Sequence, residues 1–196
     1  MTNTMNSHDS SRLNATFLEE YNSEDSIRKY TRNTAGDGIG YLLEHEYGKI
    51  YLDCINRYVP KSRLKKGIRL WEFGCGGGMN LLHLVATLER RGIPVEFACG
   101  TDFSETLIAA AKREASSYLK GASNVQFAVA RNESLIEEGA KELGLGKGEL
   151  SGSFDLVFGV NTIRYGHRLE NVDQCVGRHF RAATREWRLH RDRYEP

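Results

Sequence analysis

The run Leu70-Trp71-Glu72-Phe73-Gly74-Cys75-Gly76-Gly77-Gly78-Met79-Asn80 constrains this chain more than any other stretch, because an apolar strand passes through one acid into a turn packed with glycine. Glycine has no Cβ, so Gly74, Gly76 and Gly78 can take positive φ or let a ligand come close to the backbone. The residues that follow, Leu81-Leu82-His83-Leu84-Val85-Ala86-Thr87-Leu88, repeat their apolar positions at helical spacing. The unit reads strand, glycine turn, helix, which is one end of a βαβ unit.

Spacing narrows what the turn can serve. A G-x-G-x-x-G dinucleotide fingerprint that starts at Gly74 needs glycine where Met79 stands, and one that starts at Gly76 needs it at Leu81. The dinucleotide pattern therefore fails. A nucleoside-binding unit should also place an acid at the end of its second strand, where a carboxylate accepts from ribose hydroxyls. Val95-Glu96-Phe97-Ala98-Cys99-Gly100-Thr101 reads as that strand, Asp102 closes it, and Phe103-Ser104-Glu105 opens a helix. Asp102 lies 24 residues beyond Gly78, close to the interval of roughly 20 in the general pattern. Ser104 is the expected N-cap, and Glu105 suits the positive end of the helix dipole.

Further along, Asn124 to Ala130 has the β-branched and aromatic content of a third strand, and Arg131-Asn132-Glu133-Ser134-Leu135 turns into another helix. A connector rich in Gly, Ser and Lys then leads to a fourth strand, Phe154 to Asn161. Upstream of the turn, Leu43, Tyr47, Ile50, Cys54 and Tyr58 fall at steps of four and three and mark one face of a helix. Before it, Tyr30 to Tyr41 mixes aromatic, glycine and polar residues as a loop would.

Glu72-Phe73-Gly74-Cys75-Gly76-Gly77-Gly78 resembles the first motif of class I S-adenosylmethionine-dependent methyltransferases, hydrophobic-acid-hydrophobic-G-x-G-x-G. Thr101-Asp102-Phe103-Ser104 looks like that family's second motif, and Phe154-Asp155-Leu156-Val157-Phe158 like its fourth strand. The resemblance covers roughly residues 67–180. It implies S-adenosyl-L-methionine as cofactor, held by Glu72, Gly74, Cys75, Gly76 and Gly78 around the methionine moiety. It further implies Asp102 at the ribose, Phe103 and Asn132 at the adenine, and Asn161 lining the pocket. The family often has Asp at the Arg131 position; Arg131 cannot accept a hydrogen bond and is read as a solvated charge. Asn161-Thr162-Ile163-Arg164 lacks the Pro-Pro-aromatic run of enzymes that methylate base amines, so that activity is not implied. Asp155 is left open between a strand-end role and a functional one.

The implied fold class is α/β, a Rossmann-like three-layer sandwich with a mostly parallel central sheet and an N-terminal helical lid. The expected organisation is a disordered tail over 1–11, the lid over 12–60 with Tyr30 or Tyr41 reaching the ligands, the cofactor domain over 61–180, and an irregular basic tail over 181–196. Residues Leu169, Val172, Val176 and Phe180 suggest a helix after the fourth strand. The Pro-Gly-Gly run and later strands of the family are missing, so the chain is expected to be a shortened or frameshifted product.

Composition bounds the rest. At 196 residues with 40% hydrophobic and 27% charged content, one globular domain is expected rather than two. A net charge of +1 predicts no strong pull to nucleic acid or membrane. Four scattered cysteines without a C-x-x-C pair argue against a zinc site, leave metal ligands at none, and fit reduced thiols in a cytoplasmic setting. No apolar stretch approaches the roughly 18 residues of a membrane helix. The implied reaction is methyl transfer to a small-molecule acceptor, with His167 as the expected general base and Tyr165 as a weaker one. The other reading is a cofactor-binding fragment without activity, or one that needs a partner.

Overall fold

The strand Ile68–Phe73 (β1) is buried at every position except Arg69, as a strand covered on both faces should be. In the computed structural model, which describes residues 19, 21–25, 46–119, 124–150, 152–160 and 162, it is flanked by Val95–Asp102 (β2) and Leu156–Phe158 (β4). Val125–Val129 (β3) adds to the far side of β2, so the order is β3-β2-β1-β4 and every pairing is parallel. Tyr30, Tyr41, Asn161, Tyr165, His167, the helix expected up to Phe180 and both expected tails lie outside the described residues.

These strands are accompanied by the α-helices α1 (Glu46–Tyr58), α2 (Lys61–Lys66), α3 (Met79–Arg90), α4 (Glu105–Tyr118), α5 (Leu135–Leu143) and α6 (Lys147–Leu150). Neighbouring strand residues point to opposite faces, which sorts the core into two layers. Ile68, Leu70 and Ala98 pack with Leu81, Val85 and Leu88 of α3, Ile108 and Ala111 of α4, and Ile55 of α1. Trp71, Phe73 and Cys99 pack on the other side with Leu135, Ile136 and Ala140 of α5 and Leu150 of α6. The expected three-layer sandwich is therefore present, with a sheet that is parallel throughout. None of these helices is long and apolar enough to cross a membrane.

The helix before the turn forms, but it buries a different face from the one its spacing suggested. Ile50 is 53% exposed and Tyr58 43%, whereas Tyr51, Leu52, Ile55 and Val59 are buried and the Tyr51 ring lies 4.6 Å from that of Phe158. Two apolar stripes run side by side on α1, one residue or about 100° apart. The sheet takes the stripe that carries Ile55, and periodicity alone does not choose between them.

The fourth strand is shorter than its apolar run. Its ladder pairs Leu70 with Leu156, Trp71 with Val157 and Glu72 with Phe158, and then ends. At Gly159 a Cβ would lie 2.5 Å from the Phe73 ring. Its start is fixed by Asp155, whose carboxylate accepts from the Arg69 N–H at 2.8 Å and from Arg63 Nη2 at 2.9 Å. Glu96 joins the cluster through Arg63 and Arg69. Asp155 is thus a strand-start clamp at the amino end of β1, at the opposite edge of the sheet from the glycine turn.

Candidate functional site

The turn after β1 has the backbone its glycines predict: φ is +60° at Gly74, +55° at Gly76 and +78° at Gly78. Much of its hydrogen bonding is spent internally. Cys75 N–H donates to Thr101 O at 3.0 Å, Gly76 N–H to Asp102 Oδ2 at 2.9 Å and Gly78 N–H to Cys75 O at 2.9 Å. Cys75 turns its side chain into the core, and burial pushes its thiol well above the ordinary range, so only its backbone belongs to the turn. At Gly78 a Cβ would stand 2.7 Å from the Phe127 ring, and at Gly100 in β2 it would stand 2.6 Å from the same ring. Core packing therefore demands Gly78 as firmly as any ligand would.

Glu72 is fully buried at the carboxyl end of β1. Its Oε2 accepts the Leu81 N–H at 3.0 Å and its Oε1 the Asn80 side-chain amide at 3.1 Å. Gly78, at the N-cap of α3, has no side chain to offer, so Glu72 caps the helix from the neighbouring strand. Burial pushes its carboxyl up to about 8, against these two bonds, which pull it down. The arrangement inverts the usual phosphate cradle. There the amides of a helix N-terminus face an anion; here a carboxylic acid from the strand takes one of them, the Leu81 N–H.

At the end of β2, Asp102 is buried to 6% exposure and accepts on both oxygens, from Gly76 N–H and from Ser104 N–H, each at 2.9 Å. Burial raises its carboxyl, and these amides work against that rise. Ser104 caps α4 as expected, accepting from Leu107 N–H at 3.2 Å. The Asp102 carbonyl receives Ala130 N–H at 2.9 Å, which joins the end of β3 to the end of β2, with the half-buried Asn132 two residues further on. Arg131 is not merely solvated: its guanidinium and its backbone N–H both donate to Glu138 of α5. Those bonds outweigh burial and hold the Glu138 carboxyl down at about 2.

Strand order reverses between β1 and β4, the kind of switch point where ligands enter α/β sheets. Thr162, just past β4, sits there against Gly74, where a Cβ would lie 2.3 Å from its Cγ2. Its hydroxyl faces three carbonyl oxygens, Val160 at 3.1 Å, Phe73 at 3.4 Å and Gly74 at 3.5 Å. Glu72, Gly74, Cys75, Gly76, Gly78, Asp102, Phe103 and Asn132 thus gather at the carboxyl ends of the strands. Sequence reasoning missed Asn80, Thr162, Tyr21 and Asn22. Asn80 was within reach, being the second residue of a helix whose cap is glycine. Tyr21 and Asn22 meet Ser104 from 83 and 82 residues away, and no local pattern signals that.

The comparisons with known proteins agree with this geometry. Residues 71–186, more than half of the chain, match the family described as methyltransferase domain. No curated protein sequence matches. Among solved structures the chain is similar to magnesium protoporphyrin IX methyltransferase (ChlM) from Synechocystis PCC 6803 with bound SAM, at 16% identity and TM-score 0.54, covering 93% of this chain and 74% of that one. It is similar to the CMeT domain of citrinin polyketide synthase, at 22% identity and TM-score 0.54, over 83% of this chain and 37% of that one. A putative S-adenosyl-L-methionine-dependent methyltransferase from Methanococcus maripaludis matches at 11% identity and TM-score 0.53, over 82% of this chain and 58% of that one. The chain spans less than half the length of two further matched structures, 47% and 41%. On its sequence match, and with the parallel sheet and glycine turn in agreement, the chain belongs to the methyltransferase-domain family.

Proposed function

We propose that the chain binds S-adenosyl-L-methionine and transfers its methyl group to a small-molecule acceptor. The observation that carries this reading is the chemistry of the lining at the carboxyl ends of β1, β2 and β4, where hydrogen-bond acceptors collect. The Phe73, Gly74 and Val160 carbonyls surround the Thr162 hydroxyl, whose single proton leaves acceptor capacity among them, and the Asp102 carboxylate closes the adjoining strand. A carboxylate has about four lone-pair sites, so Asp102 keeps capacity for a ribose hydroxyl after taking the amides of Gly76, Ser104 and Phe103. An ammonium and two hydroxyls are donors and suit this lining. A pyrophosphate is an acceptor and would meet Glu72 beneath the helix start.

S-adenosylmethionine supplies a methyl group already activated on a sulfonium, which leaves the protein alignment and the exclusion of water. In this reading Asp102 receives the ribose, Phe103 and Asn132 flank the base, and Asn161 lines the methyl pocket. His167 takes a proton from an acceptor that must lose one, with Tyr165 as the weaker candidate. The sequence match and the fold of the Synechocystis enzyme, whose structure holds SAM, support the choice of cofactor. Titration calorimetry with S-adenosylmethionine, S-adenosylhomocysteine and NAD tests it. Binding of the first two without the third is expected; binding of NAD alone, or of none, overturns it.

A further inference from the structure

Ser104 is fully buried, yet its side chain is claimed by a part of the chain more than eighty residues away. Its hydroxyl lies 2.7 Å from Asn22 Oδ1 and 3.1 Å from Tyr21 O, while its lone pair receives Leu107 N–H at 3.2 Å. One hydroxyl proton serves the two acceptors, and the shorter contact is to Asn22. Tyr21 itself is buried to 9% exposure, with its ring 5.7 Å from that of Phe103 and inclined at 71°, an edge-to-face pair. The same serine carries the N–H that donates to Asp102 Oδ1, and the other oxygen of Asp102 holds Gly76 N–H.

We propose that Tyr21 and Asn22 form a positioning strap for the nucleoside end of the site, acting through the continuous series Asn22, Ser104, Asp102, Gly76. The proposal rests on the cofactor reading above. Asn22 is exposed, so its contribution is to hold the Ser104 side chain from outside the core. Tyr21 adds a wall over Phe103, the residue that follows the ribose acid. The strap meets Ser104 through the Asn22 side chain and Phe103 through the Tyr21 ring. A ligand that fixes Asp102 favours the docked strap through the same series. Linkage is reciprocal: by whatever factor the strap tightens ligand binding, the ligand tightens the strap.

The test measures the affinity of S-adenosylhomocysteine and of adenosine for the wild type, Asn22→Ala and Tyr21→Leu, together with amide exchange at Ser104 and Leu107. Both variants should weaken both ligands, by roughly fivefold to tenfold for the loss of one hydrogen bond or ring contact. Equal loss for adenosine and S-adenosylhomocysteine is expected, because the strap acts on the part they share. S-adenosylhomocysteine should slow exchange at Ser104 and Leu107 in the wild type and do so less in Asn22→Ala. Unchanged affinity in both variants overturns the strap, as does a loss seen with S-adenosylhomocysteine and not with adenosine. A lower thermal midpoint with unaltered affinity shows plain structural support and overturns it too. If the wild type binds neither ligand, the cofactor reading itself fails, an outcome distinct from wild-type binding that the variants leave unaltered.

Discussion

The Glu72 carboxyl group accepts the backbone N–H of Leu81 at 3.0 Å through Oε2, so the end of a strand supplies the helix cap that Gly78 cannot. Losing this acid orphans a buried N–H and a half-buried side-chain amide. Glu72→Leu should lower unfolding free energy by ~1–3 kcal/mol, read from urea melts. The same acid makes stability pH-dependent. Its folded value of about 8 stands above the ordinary 4.5, so between those values the folded protein holds a proton that the unfolded chain has released. The stability it adds is complete below pH 4.5 and is lost as pH rises through 8. The urea midpoint of the wild type should fall over that interval, and Glu72→Gln should show less of the fall.

Asp102→Asn leaves one acceptor oxygen facing two N–H donors, with an amide NH₂ turned toward the second. The variant should lose roughly 1–3 kcal/mol of stability and bind S-adenosylhomocysteine roughly tenfold to a hundredfold more weakly, the range for hydrogen bonds to a charged group. Calorimetry beside a thermal melt separates the two effects. Wild-type affinity in Asp102→Asn removes the acid from the ribose site.

Asp155→Ala should behave differently. It strands the Arg69 N–H at the amino edge of the sheet and takes from the Arg63 guanidinium the more buried of its two carboxylates, leaving it Glu96, a loss of ~1–3 kcal/mol in a denaturant titration. Affinity for S-adenosylhomocysteine, measured below the unfolding transition, should stay unchanged, since the glycine turn lies at the other edge.

Gly100 has Phe127 ring carbons 2.6 Å and Cys75 Sγ 2.9 Å from where a Cβ would stand. Gly100→Ala should destabilise by ~1–3 kcal/mol through overpacking. Phe127→Leu in the same chain should recover part of that loss, so a double-mutant cycle should give a favourable coupling beyond roughly 0.5 kcal/mol. Strict additivity would show that the ring is not the obstacle.

What the sequence made legible follows from how far each interaction reaches. Glu72, the three glycines and Asp102 lie in short windows, strand to turn or strand to helix, and their patterns were readable. The Ser104 cap was readable for the same reason, since it spans three residues. The second partner of Ser104, 82 residues away, was not, nor was the bond between Arg63 and Asp155 across 92. The Arg131 to Glu138 pair, only seven apart, was hidden because a 3₁₀ turn at Asn132–Ser134 breaks the helical spacing between them. The face of α1 was ambiguous at every range, because two adjacent stripes are apolar and only the sheet decides between them.

The Phe127 ring lies where Cβ atoms of both Gly78 and Gly100 would be, so the residue that ends the glycine turn and a residue inside the second strand share one space filler on the third. The turn is consequently not a portable cassette. A graft of Glu72 to Gly78 into another sheet would bring the backbone of the turn and leave behind the wedge that keeps its last glycine in place. The transferable unit runs from the first strand through the third, and only a transplant of that whole span should keep the loop in its present shape.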